Sequence, residues 1–408
     1  MRVLQINSHY NQGGAARIAA CIHKQLLKEG QESYVAYGRG EQLTDIHVYR
    51  FNNVPEVYIS ALFSRITGLN GWGNKIATRR LIRFIEVVNP DVIHMHALHG
   101  YYLNFNMLFR YIKKKQIPCV WTFHDCHAFV GNCGYFFDCR RWQEGCGNCP
   151  YVHNYPKSQF FDFTKYMWKK KKELFTSVDN LVVVTPTNWL TEEAKLSYMG
   201  KYPCVTVRNG IDTTDTFYPR DKMKCREKYG YSPEDKIVLG IAVGYSDPRK
   251  GAKYIIEMAQ KLKDDVKVVL IGWESCNDDM ILGIDNIVAL PPTYDTNQLA
   301  EYYSMADVFV LPSLAENYPT VTLEALACGT PAVGFDAGGI PEQLTEGKGI
   351  VVETGNGEAF TNAVKQALDR SLFMKRDELS ACIHAENSVA KMTEEYMQIY
   401  QELMRNKE

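Results

Sequence analysis

The sequence predicts an α/β protein with two Rossmann-like domains, and three observations lead to this fold class. The chain has 408 residues, which exceeds one ordinary core and suits two domains of about 200 residues each. Apolar runs of strand length alternate with stretches of helical periodicity from end to end. A turn-rich segment at 205–220 separates two blocks of this pattern. Repeated strand-helix-strand units predict, in each block, a parallel sheet with helices on both faces.

The first block opens with a strand predicted at Val3–Ile6. A Gly13–Gly14 break follows, and the helix predicted next, Ala15–Glu29, carries apolar residues at helical spacing. Because ligands of parallel sheets bind beyond the carboxyl ends of the strands, the loops after the strands are expected to carry the chemistry. Further strands of this block are predicted at Val92–His96, Cys119–His124 and Leu181–Thr185.

The second block repeats the alternation after residue 210. Its last stretch, Ser388–Met404, has the pattern of an amphipathic helix whose apolar stripe is expected to pack on the protein. Strands are predicted at Ile237–Val243, Val266–Ile271, Val308–Leu311 and Ala332–Phe335. Helices are predicted at Ala252–Leu262, Gln298–Ser304 and Thr320–Ala327.

Composition indicates a soluble, cytoplasmic enzyme. Hydrophobic residues make up 46% of the chain and charged residues 23%, which is ordinary for a globular protein. The apolar runs are strand-sized and far shorter than a membrane span, and the first residues lack the apolar region of a signal peptide. In that setting the twelve cysteines favour reduced thiols or metal ligands over disulfides.

The net charge of −1 conceals a strong asymmetry between the two blocks. Residues 1–210 contain 26 Lys+Arg against 15 Asp+Glu, whereas the rest of the chain contains 20 against 32. Taken together, the basic side chains indicate binding to anionic lipid headgroups or to a phosphorylated acceptor. Any single cluster is explained as well by a helix face exposed to solvent. No aromatic-interleaved motif of nucleic-acid binding accompanies them. The basic clusters are Arg79, Arg80 and Arg83, then Lys113–Lys115, then Lys169–Lys172.

The strongest chemical signal follows the strand predicted at Val308–Leu311. Pro319 suits the first helical position, where its missing N–H costs nothing, so Glu316 falls in the loop and Glu324 more than one turn inside the helix. The free N–H groups at such a helix start bind anions, and a diphosphate fits this site. An ordinary capped helix with a solvent-facing glutamate is the alternative. The residues expected to bind a phosphorylated donor here are Asn317, Tyr318, Pro319 and Thr320.

Five motifs follow one another along the chain. They are Gly13-Gly14-Ala15-Ala16-Arg17, Pro90–His96, Asn209–Asp212 with Phe217 and Pro219, Arg249-Lys250-Gly251, and the stretch from Glu316 through Glu324 to Gly338-Gly339-Ile340-Pro341-Glu342. Together they resemble the signature of the retaining family-four glycosyltransferases over nearly the whole chain. The resemblance implies the GT-B fold, in which two Rossmann-like domains face each other across a cleft and the C-terminal helix crosses back onto the N-terminal domain. The implied divisions are an acceptor-binding domain at 1–208, a nucleotide-sugar-binding domain at 209–387 and the returning helix at 388–408.

The resemblance also implies roles for charged residues of the second domain. Glu316 is expected to contact the transferred sugar and Glu324 the nucleotide ribose. Lys250 matches the lysine that neutralises the donor diphosphate. Relatives often carry an arginine six residues before this lysine, where this chain has Gly244, so Arg249 is the expected substitute.

The first domain supplies further expected site residues. Gly13 and Gly14 are expected to face the donor diphosphate across the interdomain cleft, with a simple turn as the alternative. His124 matches the family's active-site histidine, so the predicted catalytic residues are His124 and Glu316. The acceptor side is predicted to include Asp125, His127 and Tyr135.

Two groups of residues resemble metal ligands. His94 and His96 alternate along a strand and so share a face, but the resemblance implies a structural role for them. A Cys-rich insert at 126–156 suits a structural Zn²⁺, with buried or redox-labile free thiols as the alternative. The zinc ligands predicted there are Cys133, Cys139, Cys146 and Cys149.

The predicted activity is retaining transfer of a hexose-type sugar from a UDP- or GDP-sugar to a glycan or lipid-linked acceptor. No DxD motif occurs, so metal-independent catalysis is expected, with no catalytic cofactor. By resemblance, the pathway is surface polysaccharide or lipopolysaccharide assembly, and the expected location is the cytoplasm with peripheral contact at an anionic membrane. The alternatives are a nucleotide-sugar epimerase or phosphorylase of the same fold, or a non-catalytic protein that binds sugar nucleotides or glycans.

Overall fold

A parallel β-sheet forms the centre of each of the two units into which the chain divides. The computed structural model describes residues 1–263, 265–345 and 347–405, apart from the side chains of residues 276 and 370. Unit 1 comprises Met1–Asn209 together with Met392–Glu408, and unit 2 comprises Gly210–Lys391.

Unit 1 contains seven strands and six helices that precede residue 210. The strands are β1 (Arg2–His9), β2 (Glu32–Arg39), β3 (Val48–Arg50), β4 (Val92–Met95), β5 (Cys119–Thr122), β6 (Leu181–Thr185) and β7 (Cys204–Thr206). The helices are α1 (Gly14–Lys28), α2 (Val54–Thr67), α3 (Lys75–Val88), α4 (Phe105–Lys115), α5 (Thr164–Phe175) and α6 (Asn188–Leu196). The sheet order is β3-β2-β1-β4-β5-β6-β7, and every neighbouring pair is parallel.

Unit 2 repeats this plan with six parallel strands in the order β10-β9-β8-β11-β12-β13. These strands are β8 (Lys236–Ile241), β9 (Val266–Ile271), β10 (Ile287–Leu290), β11 (Val308–Leu311), β12 (Ala332–Phe335) and β13 (Gly349–Val352). Its helices are α7 (Lys222–Lys228), α8 (Ala252–Lys261), α9 (Thr296–Met305), α10 (Thr320–Ala327), α11 (Ile340–Gln343), α12 (Gly357–Ala367) and α13 (Arg376–Asn387).

The last helix, α14 (Val389–Arg405), packs its apolar stripe on unit 1. Tyr396 and Tyr400 are buried, and their side chains join the cluster that covers one face of the unit 1 sheet. The Tyr396 hydroxyl lies 2.8 Å from Oγ1 of Thr122, and the Tyr400 hydroxyl lies 2.7 Å from Nδ1 of His94. The amphipathic pattern at the end of the sequence therefore marks a helix fixed both by apolar packing and by buried hydrogen bonds.

The predicted fold class is confirmed, because each unit has a parallel sheet whose strands alternate with helices. Some boundaries differ from the prediction. Strand β1 continues to His9, and β5 ends at Thr122, so His124 lies two residues beyond its strand rather than at the strand end. Among the described residues, none of the helices combines the length and hydropathy that crossing a bilayer requires.

Candidate functional site

The charged site of unit 2 lies where its sheet order reverses. From β8 the chain moves outward to β10, then returns to place β11 on the other side of β8. The loops leaving the carboxyl ends of β8 and β11 therefore meet at the switch point, where open α/β sheets bind their ligands. The Leu314 N–H donates to the carbonyl of Arg249 at 2.8 Å, which joins the two loops directly.

Arg249, Lys250 and Glu316 form one charged cluster in these loops. Nζ of Lys250 lies 2.7 Å from Oε1 of Glu316, and Nη1 of Arg249 lies 2.9 Å from the same oxygen. Arg249 also donates to the carbonyl of Ala315 at 2.8 Å. The Asp247 side chain accepts from the Arg249 N–H at 2.9 Å, which fixes the short turn that carries both cations. The structure thus brings three of the predicted site residues into contact.

The carboxyl group of Glu316 is ionised at neutral pH. Burial alone raises its pKa, but the positive charges of Lys250 and Arg249 outweigh burial and hold the pKa below its usual value. Both cations are themselves partly exposed, so they can be reached by an anionic ligand. A carboxylate held between two cations at the ligand-binding edge of a sheet can accept hydrogen bonds from hydroxyl groups. The two cations can at the same time form ion pairs with phosphate oxygens.

Helix α10 leads away from this cluster and carries the second predicted glutamate. It begins at Thr320, and Pro319 is its cap residue with an extended ψ of 124°, so Pro319 stands one position before the predicted one. The Glu324 side chain is buried, and its Oε2 accepts from the Tyr303 hydroxyl at 2.9 Å. Of the other residues predicted at this helix start, Thr320 is half-buried, whereas two are buried: Asn317 and Tyr318.

A second switch point occurs in unit 1 between β1 and β4. Gly13 lies in the loop after β1 and precedes helix α1 with a φ of 86°, which glycine adopts without strain. A Cβ built on Gly13 or on Gly14 would meet nothing within 4 Å, so this turn is open rather than crowded. The first turn of α1 has no acidic residue and no side-chain cap. Its N–H groups are therefore placed as in an anion-binding helix start.

His124 lies beyond the carboxyl end of β5 at the end of a chain of buried polar side chains. Its Nε2 is 3.0 Å from Nδ1 of His96, whose Nε2 is 2.9 Å from Oε1 of Gln5. Burial lowers the pKa of His124 to about 4, and burial also holds the pKa values of His94 and His96 well below normal. His124 is consequently neutral at pH 7 and oriented by His96, while His94 is bonded to helix α14 and β5.

A close His99–Asp125 pair stands beside His124 and was not predicted from the sequence. Nε2 of His99 lies 2.6 Å from Oδ2 of Asp125, whose Oδ1 accepts from the His127 N–H at 2.9 Å. Although burial raises the pKa of Asp125, the adjacent His99 holds it below its usual value. The signal for His99 was its place in the loop after β4, at the carboxyl edge of the sheet.

The other two residues predicted on the acceptor side differ in their surroundings. The His127 side chain is buried, its Nε2 lies 3.3 Å from Nδ2 of Asn70, and burial holds its pKa well below normal. It therefore lies behind Asp125, in the interior of unit 1. Tyr135 is half-buried within the Cys-rich insert.

The four cysteines predicted as zinc ligands line a single small cavity in the insert. Trp142 lines the same cavity, and Sγ of Cys146 accepts from the Gly131 N–H at 3.2 Å. The thiols are thus brought together, but within the described ranges no three His, Cys, Asp or Glu side chains are arranged to hold a metal ion. The cysteines concerned are Cys133, Cys139, Cys146 and Cys149, and all four are free thiols.

Each of the two units matches the sequence profile of a known family. Residues 12–215, half of the chain, match the sequence profile described as Glycosyltransferase Family 4. Residues 221–381 match the profile described as Glycosyl transferases group 1. The two matches follow one another in the order of the two units.

Relatives extend the similarity over the whole chain. WcaC of Escherichia coli (strain K12), provisionally described as a colanic acid biosynthesis glycosyl transferase, is 26% identical and covers 99% of this chain and 100% of its own. Sucrose-phosphate synthase from Thermosynechococcus elongatus has a TM-score of 0.72 at 16% identity, with 99% of each chain covered. Anabaena Alr3699/HepE in complex with UDP-glucose has a TM-score of 0.69 at 14% identity, covering 98% of this chain and 100% of its own. At these identities the two structures establish a shared fold, the GT-B architecture.

Proposed function

Because the chain belongs to glycosyltransferase family 4, we propose that it transfers a hexose-type sugar from a UDP- or GDP-sugar to a glycan or lipid-linked acceptor, with retention of the anomeric configuration. The observation that carries the proposal is the cluster of Arg249, Lys250 and Glu316 at the switch point of unit 2. It combines two reachable cations with an ionised carboxylate, which are the groups that a sugar diphosphate requires.

In this proposal the two cations stabilise the leaving group. Breaking the bond between the sugar and the diphosphate leaves negative charge on the diphosphate oxygen, and Lys250 and Arg249 are positioned to neutralise it. The N–H groups at the start of α10 add further stabilisation. We propose that this set of groups makes a divalent cation unnecessary for transfer.

The carboxylates are assigned to hydroxyl groups of the donor. Glu316, ionised and fixed by two cations, accepts hydrogen bonds from the hydroxyls of the transferred sugar. Glu324 lies more than one turn inside helix α10, and we assign it to the nucleotide ribose. The ribose hydroxyls would then replace the Tyr303 hydroxyl, which donates to Glu324 in this structure. Each exchange replaces a hydrogen bond within the protein by one to the donor, which limits its net cost.

The histidines and the first helix of unit 1 complete the proposed assignment. His124 is neutral and oriented by His96, so we assign it to hydrogen bonding with the transferred sugar rather than to proton abstraction. The Gly13–Gly14 turn remains the predicted contact for the diphosphate. Asp125, held by His99, remains the predicted acceptor contact.

The likeness to relatives supports surface polysaccharide assembly as the pathway. WcaC is named for colanic acid biosynthesis, and a structure of the same fold holds UDP-glucose. We propose on this basis a nucleotide-sugar donor and a growing polysaccharide or lipid-linked acceptor in the cytoplasm. For the Cys-rich insert we propose a structural Zn²⁺ with no part in the reaction.

The decisive experiment is a screen of radiolabelled UDP- and GDP-sugars with membrane-derived acceptors, followed by mass spectrometry of the product. We expect one donor to give a product with a retained anomeric configuration, undiminished by EDTA. Glu316→Ala and Lys250→Ala should each abolish transfer while circular dichroism shows an intact fold. Turnover retained by both variants would refute the assignment, and isomerised donor formed without acceptor would identify an epimerase.

A further inference from the structure

Helix α2 of unit 1 has its apolar face turned outward. Its buried side chains are Ser60 and Ser64, while its large apolar side chains are exposed to solvent. At 100° per residue the exposed apolar positions fall within about one half of the helix circumference, opposite the two serines. These positions, each between 39% and 72% exposed, are Val54, Tyr58, Ile59, Leu62, Phe63 and Ile66.

Small residues on the inner side explain why the helix forms in this orientation. A Cβ built on Gly73 would lie 2.7 Å from Oγ of Ser60, so the chain packs closely against this face of α2. The Asn53 side chain caps the first turn by accepting from the Glu56 N–H at 2.9 Å. The orientation is therefore fixed by local packing and capping, and the outward apolar face is a stable property of the unit.

A second exposed apolar segment lies beside the end of α2. The N–H of Gln159 donates to the carbonyl of Arg65 at 2.7 Å, which places the loop before α5 against the last turn of α2. Three aromatic side chains of that loop are between 41% and 71% exposed. We call the six α2 positions and these three residues the α2 surface. The loop residues are Phe160, Phe161 and Phe163.

Basic side chains border the α2 surface. Helix α3 exposes Lys75, Arg79 and Arg83 at four-residue spacing, so that they form one stripe. Helix α3 is held to α2 through the ion pair of Arg80 with Glu56. The segment before α5 and the first turns of α5 add further exposed lysines, which are Lys157, Lys165 and Lys169.

Two of the acidic groups near the surface form an ion pair or hydrogen bonds within the protein. Glu56 is paired with Arg80, and Asp162 accepts from the N–H of Cys149 at 2.6 Å and from that of Thr164 at 2.9 Å. A third acidic residue, Glu86, is exposed on α3 three residues after Arg83, where it offsets one charge of the basic stripe. Exposed charge around the apolar face is therefore predominantly positive. Aromatic and aliphatic side chains surrounded by Lys and Arg are the combination that binds the interface of an anionic bilayer.

We propose that the α2 surface inserts into the headgroup region of an anionic lipid bilayer and holds this enzyme at the membrane. The apolar side chains enter the boundary between headgroups and acyl chains, while the stripe of α3 and the flanking lysines meet lipid phosphates. Charge complementarity favours lipid over a second copy of the chain, because two copies would oppose their own basic borders. The surface is independent of the Glu316 cluster, so the inference stands apart from the proposed reaction.

Vesicle binding by the purified full-length protein tests this inference. Phosphatidylcholine vesicles with and without phosphatidylglycerol would be sedimented with the protein, at low and at high salt. We expect binding to the anionic vesicles alone at low salt, weakened by salt because surface charges are screened. The double variant Ile59→Glu, Leu62→Glu should bind at least about 10-fold more weakly, since it places two carboxylates in the inserted face.

A matched control separates the α2 surface from exposed apolar residues in general. Ile46, in another part of unit 1, is 85% exposed, and Ile46→Glu should bind vesicles as the unsubstituted protein does. Equal binding by the double variant would overturn the inference, as would absence of binding to anionic vesicles. Self-association of the protein that the double variant abolishes, without vesicle binding, would show instead that a second copy covers the surface. Because no donor sugar is needed, failure here leaves the proposed reaction untouched.

Discussion

A Cβ built on Gly251 would lie 1.9 Å from the carbonyl oxygen of Pro312. Gly251 follows Lys250 directly and precedes α8, whereas Pro312 is the first residue after β11. The φ of Gly251 is 72°, a conformation that residues with a Cβ rarely adopt. The close approach of the two loops at the switch point thus depends on a missing side chain, and the Lys250–Glu316 contact depends on that approach.

Gly251→Ala should therefore destabilise unit 2 strongly. The new methyl group must displace the Pro312 carbonyl and also strains the backbone, so we expect a loss of about 3 kcal/mol or more in the free energy of unfolding. Gly244→Ala is the matched control, since Gly244 also has a positive φ, of 79°, but a Cβ there would meet nothing within 4 Å. We expect that variant to lose only about 1 kcal/mol. Urea unfolding of both proteins measures the difference, and equal losses would contradict the role of the close approach.

Nucleotide affinity should distinguish the cations from the carboxylate of the cluster. Lys250→Ala removes a charge that would face the diphosphate, so we expect UDP or GDP to bind about 10-fold more weakly or worse. Glu316→Gln removes the group that engages Lys250 and Arg249, so nucleotide affinity should be unchanged or higher. Isothermal titration with the free nucleotide measures both.

Transfer should respond differently from nucleotide binding in these two variants. Glu316→Gln loses the charged acceptor for the sugar hydroxyls, and we expect turnover to fall by about 100-fold or more. If Glu316→Gln weakened nucleotide binding as much as Lys250→Ala did, the assignment of Glu316 to the sugar would be wrong.

The positions of the site residues at the switch point of unit 2 could be predicted from the sequence, because their spacing follows from the fold. A strand predicted at Val308–Leu311 and a helix predicted at Thr320–Ala327 match the structure, which leaves Glu316 only the loop between them. Arg249 was expected to replace a missing cation, and the structure places it on Glu316. Local periodicity and the rule that ligands bind at strand ends were sufficient for this part.

Features that depend on contacts between distant segments could not be predicted from the sequence. The loop after β4 marks His99 as a candidate site residue, but no local pattern shows that it pairs with Asp125, 26 residues away. The outward apolar face of α2 was also missed, because an apolar helix pattern does not tell which side is covered. The position of Pro319 was displaced by one residue, since capping depends on the local ψ angle.

Acidification between pH 7 and pH 5 should destabilise unit 1. Burial lowers the pKa values of His23 and His124 to about 4 in the folded protein, against 6.5 for an ordinary histidine. The unfolded chain therefore takes up protons below pH 6.5 that the folded protein does not bind until about pH 4. Stability is fully present above pH 6.5 and falls as the pH decreases through this window, by about 1.4 kcal/mol per pH unit for each such histidine.

Urea unfolding at several pH values tests the prediction. Carboxyl groups whose pKa is lowered in the folded protein, such as that of Glu316, affect stability only below pH 4.5, the usual pKa of a glutamate. The change in stability from pH 7 to pH 5 therefore reports mainly on the histidines. His23→Gln should reduce the slope of stability against pH by about one proton, because it removes one buried titrating group. A stability that does not change across this interval would contradict the assignment of neutral buried histidines.

The thiols of the insert supply the last prediction, which concerns zinc. Cys133 and Cys146 line one cavity with two further cysteines, and the fully buried Lys171 interacts electrostatically with both named thiols. A zinc ion bound by four thiolates carries a net negative charge, which a buried ammonium group would balance. Because the described thiols do not form a three-ligand group, zinc binding requires their side chains to rotate. Elemental analysis of the full-length protein should then find about one zinc ion per chain.

Single substitutions decide between a bound metal and free thiols. Cys146→Ser should lose the zinc and lower the midpoint of thermal unfolding, because the ion binds only the folded arrangement of its ligands and so stabilises it. Cys21→Ser, at a half-buried thiol of helix α1 outside the insert, should retain both the zinc and the unfolding midpoint. A protein purified without chelators that contains no zinc, and whose Cys146→Ser variant unfolds at the same temperature, would show that these cysteines are free thiols packed for their volume alone.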